Sequence, residues 1–129
     1  MEYEEITRRI IGCAMKVHGA LGNGFQEVIY QRAMAIELKQ EGLAFVREKE
    51  MTIYYREQPI GTRRADFFVE NAVMVELKAI LQIEDAHLAQ AINYLEAYAM
   101  RIGLLLNFGA RSLEYKRVHN NKIPPSIPS

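Results

Sequence analysis

The chain has 129 residues, 50% of them hydrophobic, 25% charged and 9% aromatic, the proportions of one ordinary domain that can build a core without staples. Sixteen Lys and Arg balance sixteen Asp and Glu for a formal net charge of zero, which excludes a polyanion binder working through overall charge. The single Cys13 excludes a disulfide scaffold and a multi-thiolate metal site.

From Tyr3 to Leu21 the residues Ile6, Ile10, Ala14, Val17 and Leu21 recur at helical intervals and predict a first helix. Gly22-Asn23-Gly24 ends it, because glycines and Asn tolerate the positive φ of a tight turn. A second helix is predicted from Phe25 to about Leu38, with the stripe Phe25, Ile29, Ala33 and Ile36, and Gly42 stops it. Beyond Gly42 the apolar period shortens to two, and strands are predicted over 44–48, 51–55, 60–69 and 73–77, joined by polar turns at 56–59 and 70–72. A third, alanine-rich helix is predicted over 84–99, then strands over 102–108 and 113–118. The expected organisation is a single domain over 1–119 and a Pro-rich flexible tail over 120–129.

Glu2, Glu4 and Glu5 stand where a signal peptide carries positive charge, and no apolar run approaches the roughly 18 residues of a spanning helix. The expectation is a soluble cytoplasmic protein with no membrane partner. Two basic stretches, Arg63-Arg64 and the run Arg111, Lys116, Arg117, His119 and Lys122, are either solvated faces or local contacts for nucleic acid.

Residues 65–78 carry the polar chemistry. If they fold as a hairpin about Asn71, Val69 faces Val73, Phe67 faces Val75 and Asp66 faces Glu76, with Lys78 on the same sheet face as Glu76. Like charges across a ladder destabilise it unless a cation intervenes. Lys78 alone could neutralise a solvent-facing pair. The apolar neighbours Phe67-Phe68-Val69 and Val73-Met74-Val75 instead suggest strands covered on both faces, where a carboxylate pair is costly without a partner and a divalent metal would remove the conflict. On the third helix, His87, Gln90 and Tyr94 share one face.

An acid on one strand followed by Glu76-Leu77-Lys78 on the next resembles the PD-(D/E)xK nuclease superfamily, with Ala65 and not Pro before the first acid, a departure common in that superfamily. Gln90-Ala91-Ile92-Asn93-Tyr94 resembles the Q-x-x-x-Y motif of its RecB-like branch, and Gly24-Phe25-Gln26-Glu27-Val28-Ile29-Tyr30 resembles the signature of the G-x-x-E-x-x-Y proteins. The resemblance implies an α/β (α+β mixed sheet) fold of restriction-endonuclease type, with an αβββαβ core whose central mixed sheet is flanked by helices. It implies a nuclease that uses Mg²⁺ or Mn²⁺, with Glu27, Asp66, Glu76 and Lys78 as catalytic residues. Asp66, Glu76, the backbone carbonyl of Leu77 and Glu27 would hold the metal, and Lys78 would lie beside the attacking water. Gln90, Tyr94, His87 and Tyr30 would stand behind the ligands or against the phosphate, although Tyr30 could simply pack its helix on the sheet. Arg63 and Arg64 are expected to contact nucleic acid, with DNA favoured as partner and a homodimer as the assembly. The alternative is a catalytically silent module that keeps the fold and binds metal, nucleic acid or protein.

Overall fold

The computed structural model describes residues 3–123. Helix α1 (Tyr3–Leu21) forms on the predicted stripe: Ile6, Ile10, Ala14 and Val17 are buried, and Glu4 and Glu5 occupy the first turn, where the helix dipole favours negative charge. Gly22, at φ 75°, turns the chain out of the helix. Helix α2 (Glu27–Gln40) corrects the predicted stripe, because it buries Tyr30, Gln31, Met34 and Leu38 while Phe25 and Ile36 stay exposed. Tyr30 sets that rotation. Its hydroxyl donates to the Gly22 carbonyl at 2.6 Å and accepts the Phe25 N–H at 3.1 Å, and its ring stacks on Phe108 with centroids 4.7 Å apart.

The chain continues through β1 (Phe45–Arg47), β2 (Glu50–Tyr55), β3 (Gln58–Arg64), β4 (Phe67–Val69), β5 (Val73–Lys78), α3 (Asp85–Ala97), β6 (Ile102–Asn107) and β7 (Glu114–His119). Five strands form a mixed sheet in the order β1-β4-β5-β6-β7, in which only β5 and β6 run parallel, joined by the crossover through α3. β2 and β3 make a separate antiparallel ribbon. This mixed α/β arrangement, a five-stranded sheet flanked by helices, agrees with the predicted fold class.

The predicted strand over 60–69 is two strands. β3 belongs to the ribbon and β4 to the sheet, so the chain changes sheets at Ala65-Asp66, and neither residue lies in a ladder. The β4–β5 register is the predicted one for Val69 opposite Val73 and Phe67 opposite Val75, but the predicted cross-ladder pair Asp66–Glu76 does not form, because the ladder ends at Phe67 and the Asp66 side chain turns to the Leu77 N–H. Glu70 and Asn71 turn that hairpin with positive φ values of 54° and 51°, as a type I′ turn requires.

The sheet has a core on each side. Toward α1 and α2 it presents Phe67, Val69, Val73, Val75, Leu77 and Leu104, and toward α3 and the ribbon it presents Phe68 and Met74, packed with Leu95, Met51 and Ile53. Covering on both faces explains why β5 and β6 read as nearly continuous apolar runs. Asn120, which the sequence reading placed in the flexible tail, is buried: its side-chain amide donates to the carbonyls of Leu95 at 3.1 Å and Met100 at 2.9 Å, tying the end of β7 to α3. The rest of the predicted tail beyond Ile123 lies outside the described residues.

Candidate active site

The β4 ladder stops at Phe67 while β5 runs on to Lys78, so the last residues of β5 have no strand beside them on that edge. Asp66 fills the place. Its Oδ2 accepts the Leu77 N–H at 2.8 Å, and its Oδ1 accepts Gln31 Nε2, also at 2.8 Å. Arg47 in turn donates to Gln31 Oε1 at 3.0 Å, fixing which end of that amide faces the acid. Within a strand, the N–H and C=O of one residue point to the same edge, so the Leu77 carbonyl opens toward the gap that Asp66 lines.

Alternation puts Glu76 on the α3 face of the sheet with Met74 and Lys78. Glu76 is 4% exposed. Arg63 Nη2 donates to its Oε2 at 3.0 Å, whereas its Oε1 is buried and no N–H or hydroxyl donor reaches it. Burial pushes the Glu76 carboxyl up to about 8; Arg63 and Lys78 pull against that shift, and Asp66 adds to it both by its charge and by a hydrogen bond to the Glu76 side chain that favours the protonated form. Glu27, the first residue of α2, completes the group. Its carboxyl is raised by desolvation and by Asp66, and lowered by Lys78 and Arg63. Lys78 is half-buried and forms no salt bridge among the described residues. Three carboxylates and two cations from α2, β3, β5 and the β3–β4 junction thus act on one another electrostatically.

The other expected residues divide. Tyr94 belongs to the cluster through Arg63, whose guanidinium lies 4.1 Å from the Tyr94 ring centroid. Gln90 sits one helical turn before Tyr94, exposed, with no hydrogen bond to the described residues. His87 caps α3, its Nδ1 accepting the Glu84 N–H at 2.9 Å. Tyr30 corrects the expectation of a group at the phosphate, because it is fully buried and both hydroxyl bonds go to the α1–α2 turn. Arg63 and Arg64 do not form one patch. They alternate across β3, so Arg63 points in to Glu76 while Arg64 points out to Glu50 at 3.6 Å, a pair with both partners solvent-exposed.

Three residues of the site escaped the sequence reading in their present roles: Arg63 as an inward cation, Gln31 and Asn107. Arg63 faces Met51 across the ribbon, two positions from the facing pair Ile53 and Gly61, so the apolar alternation of Met51 and Ile53 was the available signal. Asn107 is fully buried, and its amide bridges the N–H and C=O of Ile80 at 3.0 Å each, which anchors the loop leaving Lys78. A cavity of about 770 Å³ lies at the opposite end of the sheet, between the start of α1 and the end of β7, and is lined by none of Glu27, Asp66 and Glu76.

Among the described residues no three His, Cys, Asp or Glu side chains are gathered as a metal cage. Mg²⁺ does not require one, since it keeps several waters and is commonly held through one or two carboxylates. Asp66, Glu76 with its donor-free Oε1, and the Leu77 carbonyl are hard oxygen donors of that kind, and they fit such an ion.

Comparison with known proteins agrees with this architecture. A solved structure, that of SSO0001, superposes with a TM-score of 0.57 at 17% identity, over 92% of this chain and 59% of that one. The chain therefore spans less than two thirds of that structure's length, and at this identity the likeness is one of fold. No curated protein matches the chain. No helix among the described residues is long and apolar enough to cross a membrane. The pattern of the PD-(D/E)XK nuclease superfamily matches residues 4–118, from the first helix to the end of the last strand, and the chain belongs to that superfamily.

Proposed function

We propose that the protein is a divalent-metal-dependent nuclease of the G-x-x-E-x-x-Y group that hydrolyses phosphodiester bonds, with DNA as substrate. The observation that carries this reading is the buried Oε1 of Glu76, which no N–H or hydroxyl donor reaches, beside the Asp66 carboxylate at the open end of β5. A buried carboxylate oxygen without a donor is costly, and a cation relieves the cost. Asp66, Glu76 and the Leu77 carbonyl would hold Mg²⁺ or Mn²⁺, with Glu27 reaching it directly or through water. When bound, such an ion polarises the phosphoryl oxygen and lowers the pKa of the attacking water. Lys78, on the Glu76 face, orients that water and offsets the charge developing on the phosphate. Gln90, exposed one turn from Tyr94, contacts the substrate strand. A homodimer in the cytoplasm supplies the surface that a duplex needs beyond one small, neutral chain.

Cleavage of supercoiled, linear, single-stranded and branched DNA, and of RNA, with Mg²⁺ or Mn²⁺ tests the proposal. Wild type and Lys78→Ala are to be purified identically. Metal-dependent cleavage by wild type, lost in Lys78→Ala and in EDTA, is expected; equal cleavage by both proteins would overturn it. A second reading, a silent binding module, is favoured by one observation: Arg63 already neutralises Glu76 Oε2. Nucleic-acid or metal binding without cleavage on any of these substrates would select it.

A further inference from the structure

The two oxygens of Glu76 have different surroundings. Oε2 is held by Arg63 Nη2 at 3.0 Å, whereas Oε1 meets no N–H or hydroxyl donor and shares its end of the site with the Asp66 carboxyl. A carboxylate with one oxygen fixed cannot rotate freely, so the ion pair determines where the other oxygen points. Arg63 is itself fixed from behind. Its guanidinium lies 4.1 Å from the Tyr94 ring centroid, a cation–π distance, and the Tyr94 ring stacks on Tyr98 at 6.1 Å and 10° between planes. Arg63 also comes from the β2–β3 ribbon, which pairs with no strand of the main sheet, so its position depends on contacts made at its tip and not on a ladder through the site.

We propose that Tyr94 and Arg63 are positioning residues for metal binding: the Tyr94 ring supports the guanidinium, which holds Glu76 Oε2 and leaves Oε1 free for the ion. Neither residue touches the metal or the substrate in this role. The proposal rests on the metal reading above and deepens it. It assigns the Tyr of the Q-x-x-x-Y segment to a ring-face contact, so the hydroxyl of Tyr94 is dispensable. It also makes Arg63 an internal partner of a ligand, in place of the surface contact that its pairing with Arg64 in the sequence suggested. Partners that orient ligating carboxylates typically change metal affinity by about 10- to 100-fold when removed.

The test is calorimetric titration of Mg²⁺ and Mn²⁺ into the full chain without nucleic acid. Wild type is compared with Arg63→Lys, Arg63→Gln, Tyr94→Phe and Tyr94→Leu, with thermal melting to confirm that each variant is folded. Tyr94→Phe keeps the ring face and should bind metal within about twofold of wild type, while Tyr94→Leu and Arg63→Gln should lose about 10- to 100-fold. Arg63→Lys keeps the charge and loses the planar fork, so its affinity should fall between wild type and Arg63→Gln. If Arg63→Gln folds and binds as wild type does, or if Tyr94→Phe loses as much as Tyr94→Leu, the proposal is overturned and the metal reading stands. A variant too unstable to titrate leaves the Tyr94→Phe and Arg63→Lys results to decide. Absence of metal binding by folded wild type overturns both the proposal and the metal reading.

Discussion

The Asp66 carboxylate takes the place of a strand beside Leu77: its Oδ2 accepts the Leu77 N–H at 2.8 Å, two residues along β5 from the last β4–β5 pair at Val75. The acid is therefore part of the backbone hydrogen bonding at the end of β5 as well as part of the charged cluster. A strand interrupted at this point gives a carboxylate a fixed position next to a backbone carbonyl that a continuous ladder would have paired.

Asp66→Ala should consequently destabilise the fold even without metal. It leaves the Leu77 N–H and the Gln31 amide without their acceptor, at a cost of about 1–3 kcal/mol for a buried donor left unpaired. Asp66→Asn keeps an oxygen for Leu77 and should lose less stability, while weakening Mg²⁺ binding severely. Urea denaturation in EDTA, followed by calorimetry with Mg²⁺, separates the two effects. Equal stability of Asp66→Ala and wild type would show that Asp66 is not needed to close the end of β5.

Glu76 predicts a pH dependence of stability. In the unfolded chain its carboxyl titrates near 4.5, and in the folded protein burial, with Asp66 beside it and Arg63 and Lys78 opposing, raises that to about 8. Between those values the folded state holds more protons than the unfolded state, so stability in EDTA should decline as pH rises from about 4.5 to about 8 and level off above, with a slope of at most about 1.4 kcal/mol per pH unit. Glu76→Gln should remove this component, and saturating Mg²⁺ should flatten it by favouring the ionised form. Denaturant midpoints across that range provide the check; a wild-type profile matching that of Glu76→Gln would contradict the burial of a protonated carboxyl.

Gly109 supports the loop that follows Lys78. A Cβ at Gly109 would collide with both the N and the O of Ile80, whose polar groups the buried Asn107 amide already bridges. These are backbone atoms with no flexible end to yield. Gly109→Ala should therefore cost about 1–3 kcal/mol through overpacking and shift the loop behind Lys78. Thermal unfolding measures the first effect. Amide chemical shifts over residues 79–83 report the second, and an unperturbed loop in a fully stable variant would mean that the close approach is absent.

How far the sequence disclosed this arrangement depends on whether the signal was local. The α1 stripe and the β4–β5 register follow from periodicity and a single turn, and the structure contains both. The face of α2 was misread because apolar residues surround much of that helix. What selects Tyr30, Met34 and Leu38 is the Tyr30 hydroxyl at the preceding turn and Phe108, far along the chain. The break at Asp66 was hidden for a related reason: nothing in Arg63-Arg64-Ala65 interrupts β propensity, and the strand ends only because its two halves pair in different sheets. The inward turn of Arg63 was legible in principle from the ribbon register, but the adjacent Arg64 made the pair read as one charged patch. The gathering of Glu27, Asp66, Glu76 and Lys78 depends on both kinds of information, a local hairpin and the long-range docking of α2.

Arg64 offers the complementary prediction at the surface. It points away from Glu76, its side chain is 65% exposed, and its 3.6 Å pair with the exposed Glu50 is of a kind worth little in water. It is therefore available to a phosphate at small cost. Arg64→Ala should weaken nucleic-acid binding modestly on all sequences and reduce the salt dependence of the binding constant by roughly one counterion, a change in log–log slope of about 0.9 for a duplex. Fluorescence anisotropy titrations in Ca²⁺ at several salt concentrations give that slope. Stability should be unchanged within about 0.5 kcal/mol, as for most surface substitutions. An unaltered slope would remove Arg64 from the nucleic-acid interface and leave the inward Arg63 as the only role for the basic pair.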